Sequence, residues 1–251
     1  MLKEERQSLI LELLQKNGKV LANELSRHFN VSEDTIRRDL RELGEKGHML
    51  RVHGGGLPHS PAGVSFVERL KQSPAAKAAI ARAAVGHIQQ GQVIILDGGT
   101  TNLLVAQNLP SGMSITVVTN SPVIADALCE NPLVEVLLIG GLLFKSSRVA
   151  VGTATVDGFR AIRADICFLG ICSLHPEVGI STNYFEESLV KQAMISGASE
   201  VVALASVEKL DTASAYIVAP ISSLTHLISE KEIPAEKITP YIQAGIVVEQ
   251  V

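Results

Sequence analysis

Asp97-Gly98-Gly99-Thr100-Thr101 follows an apolar run ending at Leu96 and precedes Leu103, Leu104 and Ala106, so a strand feeds a glycine-rich loop that opens a helix. Such a turn aims unpaired backbone N–H groups and the positive end of the helix dipole at one point. Threonine hydroxyls add donors there, and a phosphate fits. The same residues also describe an ordinary strand-to-helix turn with a threonine cap. Thr119-Asn120 follows a second apolar run and Gly140-Gly141 a third. In a parallel sheet the strand C-termini share one edge, so Asp97, Gly99, Thr100, Thr101, Asn120 and Gly141 can converge on one crevice. Lys191 stands four residues after Glu187 on a predicted helix. It can neutralise a phosphate charge or form a surface salt bridge worth about 0.3–0.5 kcal/mol.

A second constellation lies near the amino end. On a helical wheel Ile36, Leu40 and Leu43 form one apolar stripe, while Asp34, Thr35, Arg38 and Arg41 project roughly opposite and Arg37 sits on the flank. Arginine bonds guanine O6 and N7 bidentately, and flanking cations neutralise phosphates, so this helix has the arrangement that enters a major groove. The alternative is a solvated face of charge pairs, since Asp34, Asp39 and Glu42 lie among those arginines.

The elements that must position these groups follow from periodicity. Leu9, Ile10, Leu13 and Leu14 mark a first helix over residues 3 to 16, stopped by Asn17-Gly18; Leu21, Leu25 and Phe29 mark a second; Ser32 caps the third. His48 to His53, then Gly54-Gly55-Gly56, read as a strand entering a hairpin. Three helices and a hairpin predict a winged helix-turn-helix over residues 1–57. Residues 58–73, with Pro58, Ser60, Pro61 and Gly63, lack periodicity and are expected to be a linker. Over 74–251 helical stretches alternate with the apolar runs Val93–Leu96, Ile115–Val118, Val134–Ile139, Ile166–Leu169, Val201–Ala205 and Ile246–Val248. That alternation predicts an α/β domain with a mainly parallel sheet covered on both faces.

Composition agrees with a two-domain globular chain: 251 residues, 46% hydrophobic and 19% charged. No apolar run reaches a membrane span of about 18 residues, and the first residues lack a secretory pattern, so a cytoplasmic protein is expected. Cys129, Cys167 and Cys172 form no CxxC, and the latter two read as small packed side chains. The net charge of −4 divides into +1 over residues 1–57, from 10 Lys and Arg against 9 Asp and Glu, and −5 over the rest. A nucleic-acid partner must therefore be recognised by where arginines point, not by bulk charge. The seven histidines show no metal-ligand spacing, and no HExxH, Walker loop or GxSxG occurs, so neither metal nor cofactor is expected.

Asn30-Val31-Ser32-Glu33-Asp34-Thr35-Ile36-Arg37-Arg38-Asp39-Leu40, with Leu43 and Arg51-Val52-His53-Gly54-Gly55-Gly56, resembles the N-terminal signature of the DeoR/GlpR family of bacterial transcriptional repressors. The resemblance implies that Ser32, Thr35, Arg37, Arg38 and Arg41 contact DNA, with Arg51 and His53 of the wing reaching backbone or minor groove. It continues through Phe66, Arg69 and Lys77, the Asp97–Thr101 loop and Glu187-x-x-x-Lys191-x-Ala193-Met194. It implies a sensor domain of the sugar-phosphate isomerase and coenzyme A transferase fold group, responding to a phosphorylated sugar or related metabolite through the crevice residues together with Lys77 and Lys209. The chain departs from the family at one place: where Asp-x-Ser-Lys is usual it has Ser206-Val207-Glu208-Lys209.

The resulting expectation is a repressor of a carbohydrate-utilisation operon, not an enzyme. It binds double-stranded operator DNA as a homodimer or homotetramer, and its operator affinity is set by that metabolite. The competing reading is a sugar-phosphate isomerase with a fused helix-turn-helix module, using Asp97, Glu187 and Lys191 as acid and base groups.

Overall fold

The computed structural model describes residues 1–58 and 65–251. The N-terminal unit runs α1 (Lys3–Asn17), β1 (Val20–Leu21), α2 (Ala22–Phe29), α3 (Glu33–Glu45), β2 (Leu50–Val52) and β3 (Gly55–Leu57). Left-handed Gly18 and Asn30 terminate α1 and α2. Ile10, Leu14, Leu25, Ile36, Leu40, Leu43 and Met49 pack together as its core. The hairpin expected after Gly47 is present as β2–β3, but β1 joins it, with Val20 opposite Gly56 and Leu21 opposite Gly55. Leu21 therefore lies in a strand and not in the second helix. Only a residue without a side chain allows that approach, because a β-carbon at Gly55 would stand 2.0 Å from the Val20 carbonyl oxygen.

In the stretch expected to be a linker, residues 59–64, among them Ser60, Pro61 and Gly63, lie outside the described residues. Beyond them α4 (Phe66–Lys71) is a short helix opened by a capping box: the Ser65 hydroxyl accepts from Glu68 N at 3.3 Å, and Glu68 Oε2 accepts from Ser65 N at 2.9 Å. Phe66 N donates to Ser146 O at 3.1 Å, which ties α4 to the large domain.

That domain continues with α5 (Pro74–Gly86), β4 (Val93–Leu96), α6 (Thr100–Gln107), β5 (Ile115–Thr119), α7 (Pro122–Leu128), β6 (Val134–Leu138), β7 (Leu142–Phe144), β8 (Val149–Val151) and α8 (Thr153–Arg160). It ends with β9 (Ala164–Gly170), β10 (Ser173–His175), β11 (Gly179–Thr182), α9 (Phe185–Ser196), β12 (Ala198–Leu204), β13 (Tyr216–Ala219), β14 (His226–Ser229), α10 (Ala235–Gln243) and β15 (Val247–Gln250). Seven strands form one parallel sheet in the order β15-β14-β12-β9-β4-β5-β6. Both faces are covered, as expected: alternate residues of β9 enter different cores, Cys167 and Leu169 against α8 and α9, Ile166 and Phe168 against α5, α6 and α7. The six predicted runs all fall in this sheet, apart from the ends of three: Ile139, Ala205 and Ile246 lie just outside their strands. β14, the hairpin β7–β8 and the antiparallel sheet β10-β11-β13 had no counterpart in the sequence reading.

Successive strands run outward from β4 through β5 to β6, and then from β9 through β12 and β14 to β15 on the other side. The winding reverses between β4 and β9. At such a switch point the helices leaving the two strands go to opposite faces, and a crevice opens beyond their C-terminal ends.

Candidate functional site

The switch point is stitched across by side chains. Asp97, directly after β4, accepts from the main-chain N of Gly170 at the end of β9, Oδ2 to N 2.9 Å. Asn102 in the first turn of α6 donates to Asp97 O at 2.8 Å and Phe168 O at 2.9 Å. Lys191 of α9 donates to Gly170 O at 2.8 Å and forms a buried ion pair with Asp97. The surface bridge to Glu187, one of the two alternatives for Lys191, gives way to this pairing, because α9 packs Lys191 inward, and Glu187 instead accepts from the Thr182 hydroxyl at 3.2 Å. Burial alone would depress the Lys191 ammonium, but the Asp97 and Glu187 carboxylates outweigh it and hold its pKa above the ordinary lysine range.

Beyond this stitch lies a cleft of about 900 Å³, its open mouth included. Asp97, Gly99, Thr100, Thr101, Asn120, Glu187, Lys191, Lys77 and Lys209 all line it. Gly141 does not. It packs against β8 and α8, where a β-carbon would stand 2.1 Å from Thr155 Oγ1 and 2.7 Å from Val151 O. The structure adds lining residues that the sequence reading did not place there, including Asn102, Thr182, Tyr184, Cys172 and Glu208. Cys172, expected to be fully packed, is half-buried at this wall. Asn120 anchors the neighbouring hairpin, donating through Nδ2 to Ala150 O at 2.8 Å.

One end of the cleft is cationic. Lys77, buried in α5, bonds the main-chain oxygen of Arg69, and burial lowers its pKa against the opposing pull of Glu208. Burial, reinforced by the charges of Lys77 and Arg69, brings Lys209 down to about 8 despite Glu208. Ser206, where the family resemblance implies aspartate, donates to Glu208 Oε1 at 2.6 Å, and Ser73 reaches the same oxygen at 3.3 Å. A carboxylate therefore stands at this wall, carried by position 208 in place of 206.

In the N-terminal unit Ser32 Oγ accepts from Thr35 N at 3.3 Å and bonds Thr35 Oγ1 at 2.9 Å, so both residues are occupied in the cap of α3. Arg37 pairs with Glu33 at 3.0 Å. Arg38 and Arg41 are exposed, and neither forms an ion pair among the described residues. Two of the three acidic residues that could have neutralised them turn away. Asp39 is buried against Arg6 of α1 at 2.6 Å, and Glu42 takes Lys3 at 2.6 Å and Gln7 at 3.1 Å. Arg51 and His53 are exposed on the wing, with the aliphatic stem of Arg51 lying over Gly44. The Arg6–Asp39 tie was not foreseen, because an arginine in a first helical turn normally reads as solvated. Among the described residues no group of three or more His, Cys, Asp or Glu could hold a metal ion, and no helix is long and apolar enough to cross a membrane.

Comparison with known proteins matches residues 6–59 to the model of the DeoR-like helix-turn-helix domain and residues 72–231 to that of the DeoR C-terminal sensor domain. The chain is 34% identical to the HTH-type transcriptional regulator GlpR of Haloferax volcanii over 99% of its own length and 98% of that protein. It is 33% identical to the HTH-type transcriptional repressor GlcR of Bacillus subtilis, covering 92% of itself and 90% of that protein. It is also 33% identical to the glycerol-3-phosphate regulon repressor of Escherichia coli, covering 79% of each. Among solved structures, ribose 5-phosphate isomerase A from Methanocaldococcus jannaschii superposes with a TM-score of 0.39 at 16% identity, over 53% of this chain and 52% of that one.

Proposed function

The chain belongs to the DeoR family of helix-turn-helix transcriptional regulators, and on that premise we propose that it represses a carbohydrate-utilisation operon, its operator affinity set by a phosphorylated sugar or related metabolite held in the switch-point cleft. The observation that carries this reading is the division of charge on α3: Asp39 and Glu42 are drawn to α1 while Arg38 and Arg41 stay outward and unpaired among the described residues. A helix so arranged offers arginine forks to base edges, while Ser32, Thr35, Arg37, Arg51 and His53 flank them.

The cleft supports a phosphorylated ligand. Thr100 and Thr101 open α6 at its positive end, and Lys77 and Lys209 add cations. Asp97, Asn120, Glu187 and Lys191 offer polar partners for hydroxyl groups. Asp97 is committed to Lys191 and Gly170 N, which disfavours its use as the free base of an isomerase. The relatives that match along most of their length are named as regulators, one of them for a glycerol-3-phosphate regulon.

Repression follows by linkage. A ligand that prefers the arrangement misplacing the recognition helices weakens DNA binding by the same free energy, and coupling of about 1–3 kcal/mol suffices. Half-site reading calls for a homodimer or homotetramer in the cytoplasm. An apolar edge on the large domain is suited to such assembly: Leu138 on edge strand β6 is 46% exposed, and Leu142 and Leu143 on β7 are 75% and 50% exposed. A thermal-shift screen of phosphorylated sugars and polyols tests the effector half. One or more must raise the melting temperature, and that gain must be lost in Lys77→Met; a screen in which sugar phosphates do no more than inorganic sulfate overturns it.

A further inference from the structure

A short stretch of chain, residues 206–214 between β12 and β13, touches both the cleft and the DNA-binding unit. Its first half faces the cleft. Glu208 and Lys209 line the wall, and a single helical turn formed by Lys209 N to Ser206 O at 3.0 Å and Leu210 N to Val207 O at 3.1 Å holds them there. Its second half rests on the N-terminal unit. Ala213 N donates to Pro58 O at 3.3 Å, and Pro58 directly follows β3, the central strand of the wing sheet. Asp211 lies under the α1–β1 turn, its Cβ 3.6 Å from where a β-carbon on Gly18 would be. Beside it, Lys19 of the same turn pairs with Glu177 of the β10–β11 turn at 2.6 Å.

The stretch is stiff between these two ends. Thr212 Oγ1 donates to Lys209 O at 2.8 Å, so the backbone of the cleft lysine is bonded directly to the half that touches the wing. Asp211 is held with φ at 58°, and its N–H donates to the Tyr241 hydroxyl at 3.2 Å. That hydroxyl in turn donates to Leu174 O at 3.1 Å. Ser214 N is fixed on Ser181 Oγ at 2.9 Å. Displacing Lys209 therefore strains the Thr212 bond and the turn that precedes it, and the strain passes to Asp211 and Ala213 against the bonds that Tyr241 and Ser181 make with the same stretch.

We propose that residues 206–214 form the strap through which the occupancy of the cleft is communicated to the DNA-binding unit, by way of the Ala213–Pro58 bond and the seating of Asp211 under the turn at Gly18. This rests on the functional reading above and deepens it by naming how the cleft regulates the wing and α1. A ligand anion that draws Lys209 toward it shifts the strap away from Pro58 and Gly18 and loosens the seat of the N-terminal unit. Operator DNA, by fixing that seat, tightens the strap in return.

Amide hydrogen exchange on the full chain without DNA tests the coupling. Lys209→Ala and Glu208→Gln alter only the cleft half of the strap. The expected result is that exchange in peptides covering residues 17–21 and 50–57 rises at least about threefold in Lys209→Ala, with a smaller rise in Glu208→Gln. Ala213→Gly keeps the N–H but frees the backbone, and it should uncouple the same peptides from the Lys209→Ala change. If both cleft variants alter exchange only within the large domain while the N-terminal peptides keep wild-type rates, the strap is not the route and the proposal fails. Because no DNA is present, that failure is distinct from failure to bind a promoter, which would instead overturn the repressor reading.

Discussion

Lys191 and Asp97, 94 residues apart in sequence, meet as a buried ion pair across the point where the sheet reverses its winding. Each also bonds Gly170, Lys191 through the carbonyl oxygen and Asp97 through the N–H. The pair therefore fixes the spacing of β4, β9 and α9 at the mouth of the cleft, and it is first of all a structural clasp on which ligand contacts are built.

Removing one partner leaves the other charge buried and unpaired, so Asp97→Ala should cost about 3–5 kcal/mol in urea unfolding of the large domain, whereas Asp97→Asn with Lys191→Met should recover most of that loss. The pH dependence has a definite sign. The folded pKa of Lys191 is raised, so its contribution is fully present below the unfolded lysine value of about 10.4 and is lost as pH rises through the higher folded value. Stability should accordingly fall between about pH 10.4 and that higher value, and the double variant should lack that limb.

Arg38→Ala should weaken promoter binding by about 1–3 kcal/mol at fixed salt. Arg37→Ala should cost less, because Arg37 already pairs with Glu33 on the helix surface. Fluorescence anisotropy with the DNA upstream of the gene reads both. Equal losses would place the two arginines in the same role, against the geometry.

Lys209 titrates at about 8, lowered by burial and by its cationic neighbours against the pull of Glu208. Its charge is present below that value, so a phosphorylated ligand should bind progressively more weakly between about pH 7 and 9. The stability effect runs the other way: between the folded value and about 10.4 the unfolded chain binds more protons, so stability should rise across that window. Calorimetric titration of the ligand found by thermal shift checks the first, and Lys209→Met should flatten both profiles.

Leu142 is 75% exposed beside the edge strand of the parallel sheet. If that edge is where copies of the chain meet, Leu142→Glu should shift sedimentation toward monomer and weaken promoter binding through lost avidity, while leaving the melting temperature within a few degrees. Unchanged sedimentation would place the assembly surface elsewhere.

Much of this architecture was legible in the residues. Runs of Val, Ile and Leu in β4, β5 and β9 mark strands buried on both faces, and the Ile36–Leu40–Leu43 stripe sets which side of α3 is free. Asp97, Gly99, Thr100, Thr101 and Asn120 line one cleft because strand ends in a parallel sheet share an edge. Gly141 was misplaced because Gly-Gly after a strand signals a turn without saying what the turn packs against. For Lys191, helical spacing offers only a neighbour on the same helix, Glu187, beside a ligand phosphate, whereas its partner comes from a strand end 94 residues away. Three-residue strands such as β7 and β8 are too short to show a period, and Arg6 gives no local sign that Asp39 will bury it.

On the proposed function, α3 reads duplex DNA while the large domain holds a small anion. The most direct measurement is titration of the intact chain into its own upstream promoter fragment and a scrambled fragment across a salt series, with and without the ligand found by thermal shift. Selective binding to the promoter that falls steeply as salt rises, and that the ligand alters at least several-fold, is the predicted result. Equal, weak affinity for both fragments at low ionic strength, unmoved by the ligand, would contradict it.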